Sequence, residues 1–289
     1  MLNCSSVPYL HVIIYINRIG FSLSFSGFAG AVFGPILSSY VEAHGYQQGF
    51  VLMAILFACM VIPGIIFIKF TPEELGREAY GYENKPVKKE DGENKINSYY
   101  KNTGLSPILI SMIIFCIFGA SIACIGQHIS GYADSLGLAT SIGALMLSAS
   151  MIGNISFKFI NGVLVDVFGA IKATIVIIVL TAIGVIMLLL FSQKWVLLSA
   201  SFLFGASFAL SAASAPVVLK QIYGPINYRS IYSKMTTITQ ISYAVFLSAA
   251  GFLYDFSGSY LPVFLGVIVF CVISMASMVF IDITLKKNI

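Results

Sequence analysis

KFINGVLVDVFGAIKA, residues 158–173, separates two uncharged apolar runs, Leu136–Phe157 and Ala173–Phe191, with one aspartate, two glycines and two lysines. Asp166 is one of only twelve acidic residues in the chain. Its place in so short a gap has to be explained, and the explanation depends on the medium around the chain. Hydrophobic residues make up 58% of the sequence and charged residues only 10%, against about 25% charged in soluble domains.

Eight apolar runs are long enough to cross a hydrocarbon core about 30 Å thick. They are Ile19–Tyr40, Gly49–Phe67, Ser106–Gln127, Leu136–Phe157, Ala173–Phe191, Val196–Leu219, Ile231–Tyr254 and Leu261–Ile283. A soluble protein with eight buried helices would need polar faces and charged surface to cover them, and this chain has too little of either. The sequence therefore predicts an all-α, multi-pass integral membrane protein with eight transmembrane helices. MLNCSSVPYLHVIIYIN, at the N-terminus, lacks the basic start and small-residue cleavage site of a signal peptide.

Charge sets the orientation. With Arg18 inside and the spans alternating, fifteen of the sixteen Lys and Arg residues fall on the cytoplasmic side, Lys194 being the exception. Seven of them lie in the hydrophilic segment 69–104, yet eight against one still remain inside without it. Both termini are expected in the cytoplasm, with the plasma membrane the expected location. Segment 69–104 also carries seven acidic residues, and this near-neutral mixture argues against nucleic acid. Within it, Thr71-Pro72-Glu73-Glu74 has the pattern of a helix start. The expected organisation is 1–68, a partial N-terminal half with two spans; 69–104, a cytoplasmic central loop; and 105–289, a six-helix half.

The chemistry of an enzyme is not evident. Five scattered cysteines form no CxxC or Cys/His ligand pattern, and no phosphate loop, metal-ligand set or nucleophile–base pair occurs. No cofactor or metal is expected. The polar residues within the spans are instead Gln127, Asn154, Ser207, Ser211, Gln240 and Tyr243, with Lys158 at the inner end of one run. Asn154 and Lys158, four residues apart, share a helix face. Such groups in hydrocarbon face protein or a water-filled path. His128, beside Gln127, is expected near the outer surface.

The opening stretch then reads as a cytoplasmic reversal of about a dozen residues between antiparallel spans. Gly162 and Gly169 permit close approach and unusual φ. Asp166 can accept from free N–H groups at a helix start, or pair with Arg229 from another inner loop, so that the contact breaks when the face opens. A solvated aspartate in an ordinary turn is the alternative.

A weak repeat links the two ends of the chain: Arg18, a span, then YQQGF (46–50), against Arg229, a span, then YLPVF (260–264). In this order and spacing the chain resembles the major facilitator superfamily, and within it the oxalate/formate antiporter and monocarboxylate carrier branch. GVLVDVFG (162–169) is similar to that family's G-x-x-x-D-x-x-G loop signature. GFAGAVFGPILSSYVEAHGYQQGF (27–50) resembles its fifth helix and the turn into the sixth. TPEELGREAYG (71–81) resembles the segment after the sixth helix, and GFLYDFSGSYLPVF (251–264) the last turn.

The resemblance implies a helical bundle equivalent to helices 5–12 of a twelve-helix fold, with four N-terminal helices missing. It implies a permease, an antiporter or symporter, for a small solute such as a small organic anion or monocarboxylate. A co-transported ion or proton and a missing N-terminal half are then possible partners alongside the lipid bilayer. Gln127, Asn154, Lys158, Ser211 and Gln240 are the expected substrate contacts, and Gly162, Asp166, Gly169 and Arg229 the expected gating residues. Where the branch has arginine against the substrate anion, this chain has Lys158. Thr239 stands roughly where oxalate carriers keep a lysine, and this weakens the case for oxalate. Lys158 also admits a second reading, as a snorkelling side chain. The rival to transport by this chain is a truncated or degenerate permease serving as a membrane partner or sensor.

The predicted topology is checked by single-cysteine labelling in intact cells. A thiol introduced at Ser98 is expected to resist an impermeant reagent, and one at Ser135 is expected to react; the opposite pattern overturns the orientation.

Overall fold

The computed structural model describes residues 39–67 and 106–287, together with 33, 36 and 37. Among these residues every regular element is helical, and seven helices have the length and composition to cross a membrane. The eighth expected span, Ile19–Tyr40, lies almost wholly outside the described residues, as do Arg18 and the segment 69–104. Two compact units are present, the smaller being Ile36–Ser98.

In the smaller unit, helix α1 (Tyr46–Phe67) follows a helical stretch over residues 39–44. Gly45, with φ +83°, makes the break between them. A Cβ on Gly49 would sit 2.4 Å from the Val41 side chain, so this glycine lets the turn close. Pro63 lies inside α1.

The larger unit is the bundle. Helix α2 (Pro107–Cys124) starts on Ser106, whose hydroxyl accepts from the Leu109 N–H at 3.2 Å, with Pro107 in the first turn. A 3₁₀ turn over Ile125–His128 and α3 (Ile129–Ser135) continue the same span. Then come α4 (Thr140–Phe168), α5 (Ala170–Leu190) and α6 (Lys194–Phe204). After α6 the chain passes through Ser207–Ala209 and a π turn, Leu210–Ser214, into α7 (Ala215–Ser257), which breaks at Gly224 (φ +69°). Helix α8 (Leu261–Lys287) completes the bundle. Helix α2 packs against α7 and α8, α5 against α6 and α8, and α4 against α6.

Lipid is as apolar as leucine, so hydrophobicity does not decide which face of these helices turns inward; close packing does. Glycines provide it. A Cβ on Gly153 of α4 would lie 2.0 Å from the Phe202 carbonyl oxygen, and one on Gly205 would lie 2.3 Å from the Ser150 carbonyl oxygen. On the other side, a Cβ on Gly184 of α5 would lie 2.7 Å from the Phe204 nitrogen. The end of α6 is thus gripped between two backbones.

Two expectations need correction. The reversal around Asp166 is not a loop of a dozen residues: α4 runs through to Phe168, and Gly169 alone, at φ +83°, joins it to α5. Nor does Gly162 serve close approach among the described residues, where a Cβ on it would meet nothing within 4 Å. The helix continues past Phe157 because Lys158, Asn161 and Asp166 interrupt only the apolar pattern; none of them breaks a helix.

These contacts predict opposite outcomes for two alanine substitutions on one helix. Gly153→Ala is expected to destabilise the purified protein by about 1–3 kcal/mol through overpacking. Gly162→Ala is expected to be neutral or stabilising by up to about 1 kcal/mol, as alanine suits a helix interior better. Thermal unfolding in detergent measures both, and equal effects would remove the Gly153 contact from this account.

Candidate functional site

Helix α4 is 29 residues long, or about 43 Å at 1.5 Å per residue. Its middle residue is Asn154, and Lys158 lies one turn further toward Phe168, about 6 Å along the axis. Both side chains are buried, each 5% exposed, and Asn161, three residues on, is 1% exposed. Spacings of four and three keep all three on one face. The Gly153–Phe202 and Gly205–Ser150 contacts set this helix against the span that carries the π turn. There the Ser214 hydroxyl donates to Asn161 Oδ1 at 3.2 Å, both groups buried. Asn154 Oδ1 and the Ser207 hydroxyl are buried with no hydrogen-bond partner among the described residues.

The π turn has a local cause. Pro216 has no N–H for the carbonyl of Ala212, four residues back, and its ring crowds that carbonyl. The helix widens over Leu210–Ser214 in response. Turns of this kind recur at functional sites in helices. Ser211 lies in this turn and is half-buried.

Gln127 and Gln240 lie elsewhere in the bundle, on α2's span and α7. Gln127 donates to the Tyr243 hydroxyl at 3.3 Å, bridging the two, and Gln240 is exposed. Thr239 is half-buried, with its hydroxyl on the Met235 carbonyl at 2.8 Å. Lys234, within the first turns of the same span, is exposed.

At the end of the bundle that holds Ser135, Gln193 and Gly258, aromatic groups tie the helices together. His128 donates through Nε2 to the Leu247 carbonyl at 3.1 Å, which fixes that nitrogen as protonated. Tyr132 donates to the Leu188 carbonyl. Tyr260 stacks on Tyr254 with ring centroids 4.2 Å apart, and a Cβ on Gly131 would lie 2.6 Å from its hydroxyl. Burial foremost, with the Tyr254 phenol and the Asp134 and Asp255 carboxylates adding to it, pushes the Tyr260 hydroxyl above its ordinary pKa.

At the opposite end Asp166 is exposed in the last turn of α4, and it forms no ion pair with another described residue. Arg229 lies within α7, but its side chain is outside the described residues. The polar group that meets a helix start here is Gln221, whose Oε1 accepts from the Ala170 N–H at 3.1 Å.

The structure therefore brings Asn154 and Lys158 together on one buried face and sets the Ser211 turn on the span packed against it. Gln127 pairs with Tyr243 away from that face and Gln240 is exposed on the same helix as Tyr243, while Gly162, Asp166 and Gly169 stand toward the Gly169 end of α4 and Arg229 in α7. Asn161, Ser214 and Gln221 were missed by sequence reasoning. Asn161 had a signal, since it extends the Asn154–Lys158 face by one more helical step.

A bundle of membrane-crossing helices with amides and a lysine buried at mid-span has the build of a polytopic membrane transporter. The family profile of the Major Facilitator Superfamily matches residues 109–288, more than half of the chain. The chain belongs to the major facilitator superfamily, whose members are permeases that move small molecules across lipid bilayers. A comparison with curated proteins returned no match.

Proposed function

We propose that this transporter carries a small organic anion of the monocarboxylate class by alternating access, with Lys158 providing the positive charge at the site. The observation that carries the reading is the burial of Lys158, 5% exposed, near the middle of a span. About ten residues, or about 15 Å, separate it from the inner end of α4. A snorkelling lysine reaches headgroups along an exposed path, whereas this side chain is covered by protein. An ionisable group at such depth marks a substrate or ion path, and secondary carriers of this kind bind near the midplane.

In this reading Asn154 and Ser211 line the site beside Lys158, and Gln127 and Gln240 line the path on the facing helices. The buried, unpartnered Asn154 Oδ1 is free to accept from the substrate or its water. Thr239 in place of a second cation suits one carboxylate better than two. Gly162, Asp166, Gly169 and Arg229 form the cytoplasmic gate, with both termini in the cytoplasm and the plasma membrane as the site of action. The basic residues of the described helix ends fit that orientation: Lys172, Lys220, Lys286 and Lys287 lie toward the Gly169 end, and Lys194 at the other.

Uptake of radiolabelled formate, acetate and lactate by cells expressing the protein tests the charge. Lys158→Met is expected to lower uptake by about 10- to 100-fold, the worth of a charge-assisted hydrogen bond, while Lys158→Arg retains part of it. Wild-type uptake by Lys158→Met at matched membrane abundance would remove the anion from the proposal.

The gate has its own test. Asp166 is exposed, so Asp166→Asn is expected to change stability by no more than about 0.5 kcal/mol while slowing uptake several-fold. Unchanged uptake would reduce Asp166 to a helix-end residue.

A further inference from the structure

Helix α5 begins without a side-chain cap. Its capping position is Gly169, which has no side chain, and Gly169 is also the whole connection to α4. The first N–H groups of a helix have no partner of their own. The Ala173 N–H is satisfied by the Gly169 carbonyl. The Ala170 N–H is satisfied by Gln221, which lies 51 residues further along the chain.

Gln221 sits in a short helical segment with a break at each end. On one side is the π turn Leu210–Ser214, and on the other is Gly224 at φ +69°. The same segment is joined to α4 at its start, where Ser214 bonds to Asn161. One stretch of helix thus touches the buried face of α4 at one end and the Gly169 turn at the other.

We infer that Gln221 is a positioning residue: it supplies across the bundle the cap that Gly169 cannot, and so fixes the turn that presents Asp166. Glycine is needed at 169 for its backbone conformation, since φ +83° is strained for any other residue. That requirement removes the local cap, and an acceptor from another helix takes its place. A neutral amide oxygen can do this; a carboxylate at the same place would do it at least as well, because the helix start favours negative charge. The role follows from the fold and from membership of a transporter family, and it is independent of which substrate is carried.

The test is hydrogen–deuterium exchange on the purified protein in lipid nanodiscs, comparing wild type, Gln221→Leu and Gln221→Glu. Leucine keeps the size and removes the acceptor. Exchange across residues 166–174 is expected to speed up by roughly fivefold in Gln221→Leu, as for the loss of a helix cap. Gln221→Glu is expected to match wild type. Exchange over 129–138, at the far end, is expected to stay unchanged in both, which separates a local effect from unfolding. A second reading uses Val167→Cys, an exposed position, in a background with Cys4 and Cys59 replaced by serine. Its reaction with N-ethylmaleimide should change with Gln221→Leu and return with Gln221→Glu. Unchanged exchange and labelling in Gln221→Leu would overturn the assignment, and so would failure of glutamate to restore both.

Discussion

The larger unit depends on a contact between two backbones, Gly153 against the Phe202 carbonyl. In hydrocarbon no apolar driving force pulls one helix toward another, and attraction comes from close van der Waals approach and from polar groups. Any residue larger than glycine at 153 would hold α4 away from α6. That separation would carry Asn154, Lys158 and Asn161 away from the span that bears Ser207, Ser211 and Ser214. The polar face of α4 is therefore a product of a glycine one position before its first amide.

The same span shows how irregular backbone survives at membrane depth. Freed carbonyls and N–H groups cost several kcal/mol each in hydrocarbon unless something satisfies them. Pro216 frees one carbonyl, and the chain answers with a wider turn rather than a break. Gly224 ends the segment with a full break, toward the end of the bundle where Gly169 also reverses the chain. Between them the helix is short and is tied on both sides by side-chain hydrogen bonds. Irregularity and cross-linking occur together here because each break removes bonds that a neighbouring helix then replaces.

Much of the fold was legible in the composition alone. The runs Ser106–Gln127 and Ala173–Phe191 fall on the described helices Pro107–Cys124 and Ala170–Leu190, because length and the absence of charge suffice to mark a span, although the first span continues to Ser135. Boundaries are not legible where a charge interrupts an apolar run. The apolar run Leu136–Phe157 stops before Lys158, yet α4 continues to Phe168. Lysine and asparagine are tolerable inside a helix, and what ends this one is the backbone of Gly169. Its sequence neighbour in the motif, Gly162, looks identical on paper and has no comparable role in the described packing.

The candidate site was legible only in part, and the reason is physical. In a soluble protein a polar residue on an apolar helix face stands out against the amphipathic pattern. In a membrane helix every face is apolar, so the pattern does not report which side is covered. Spacing along one helix still works, and it groups Asn154 with Lys158 and would have included Asn161. Pairing between helices does not: Ser214 and Gln221 lie 53 and 51 residues from their partners. Nothing in a serine or a glutamine predicts which backbone or amide it will meet. That information resides in the glycine contacts that set the helices at one fixed height, and a sequence shows those glycines without showing what they face.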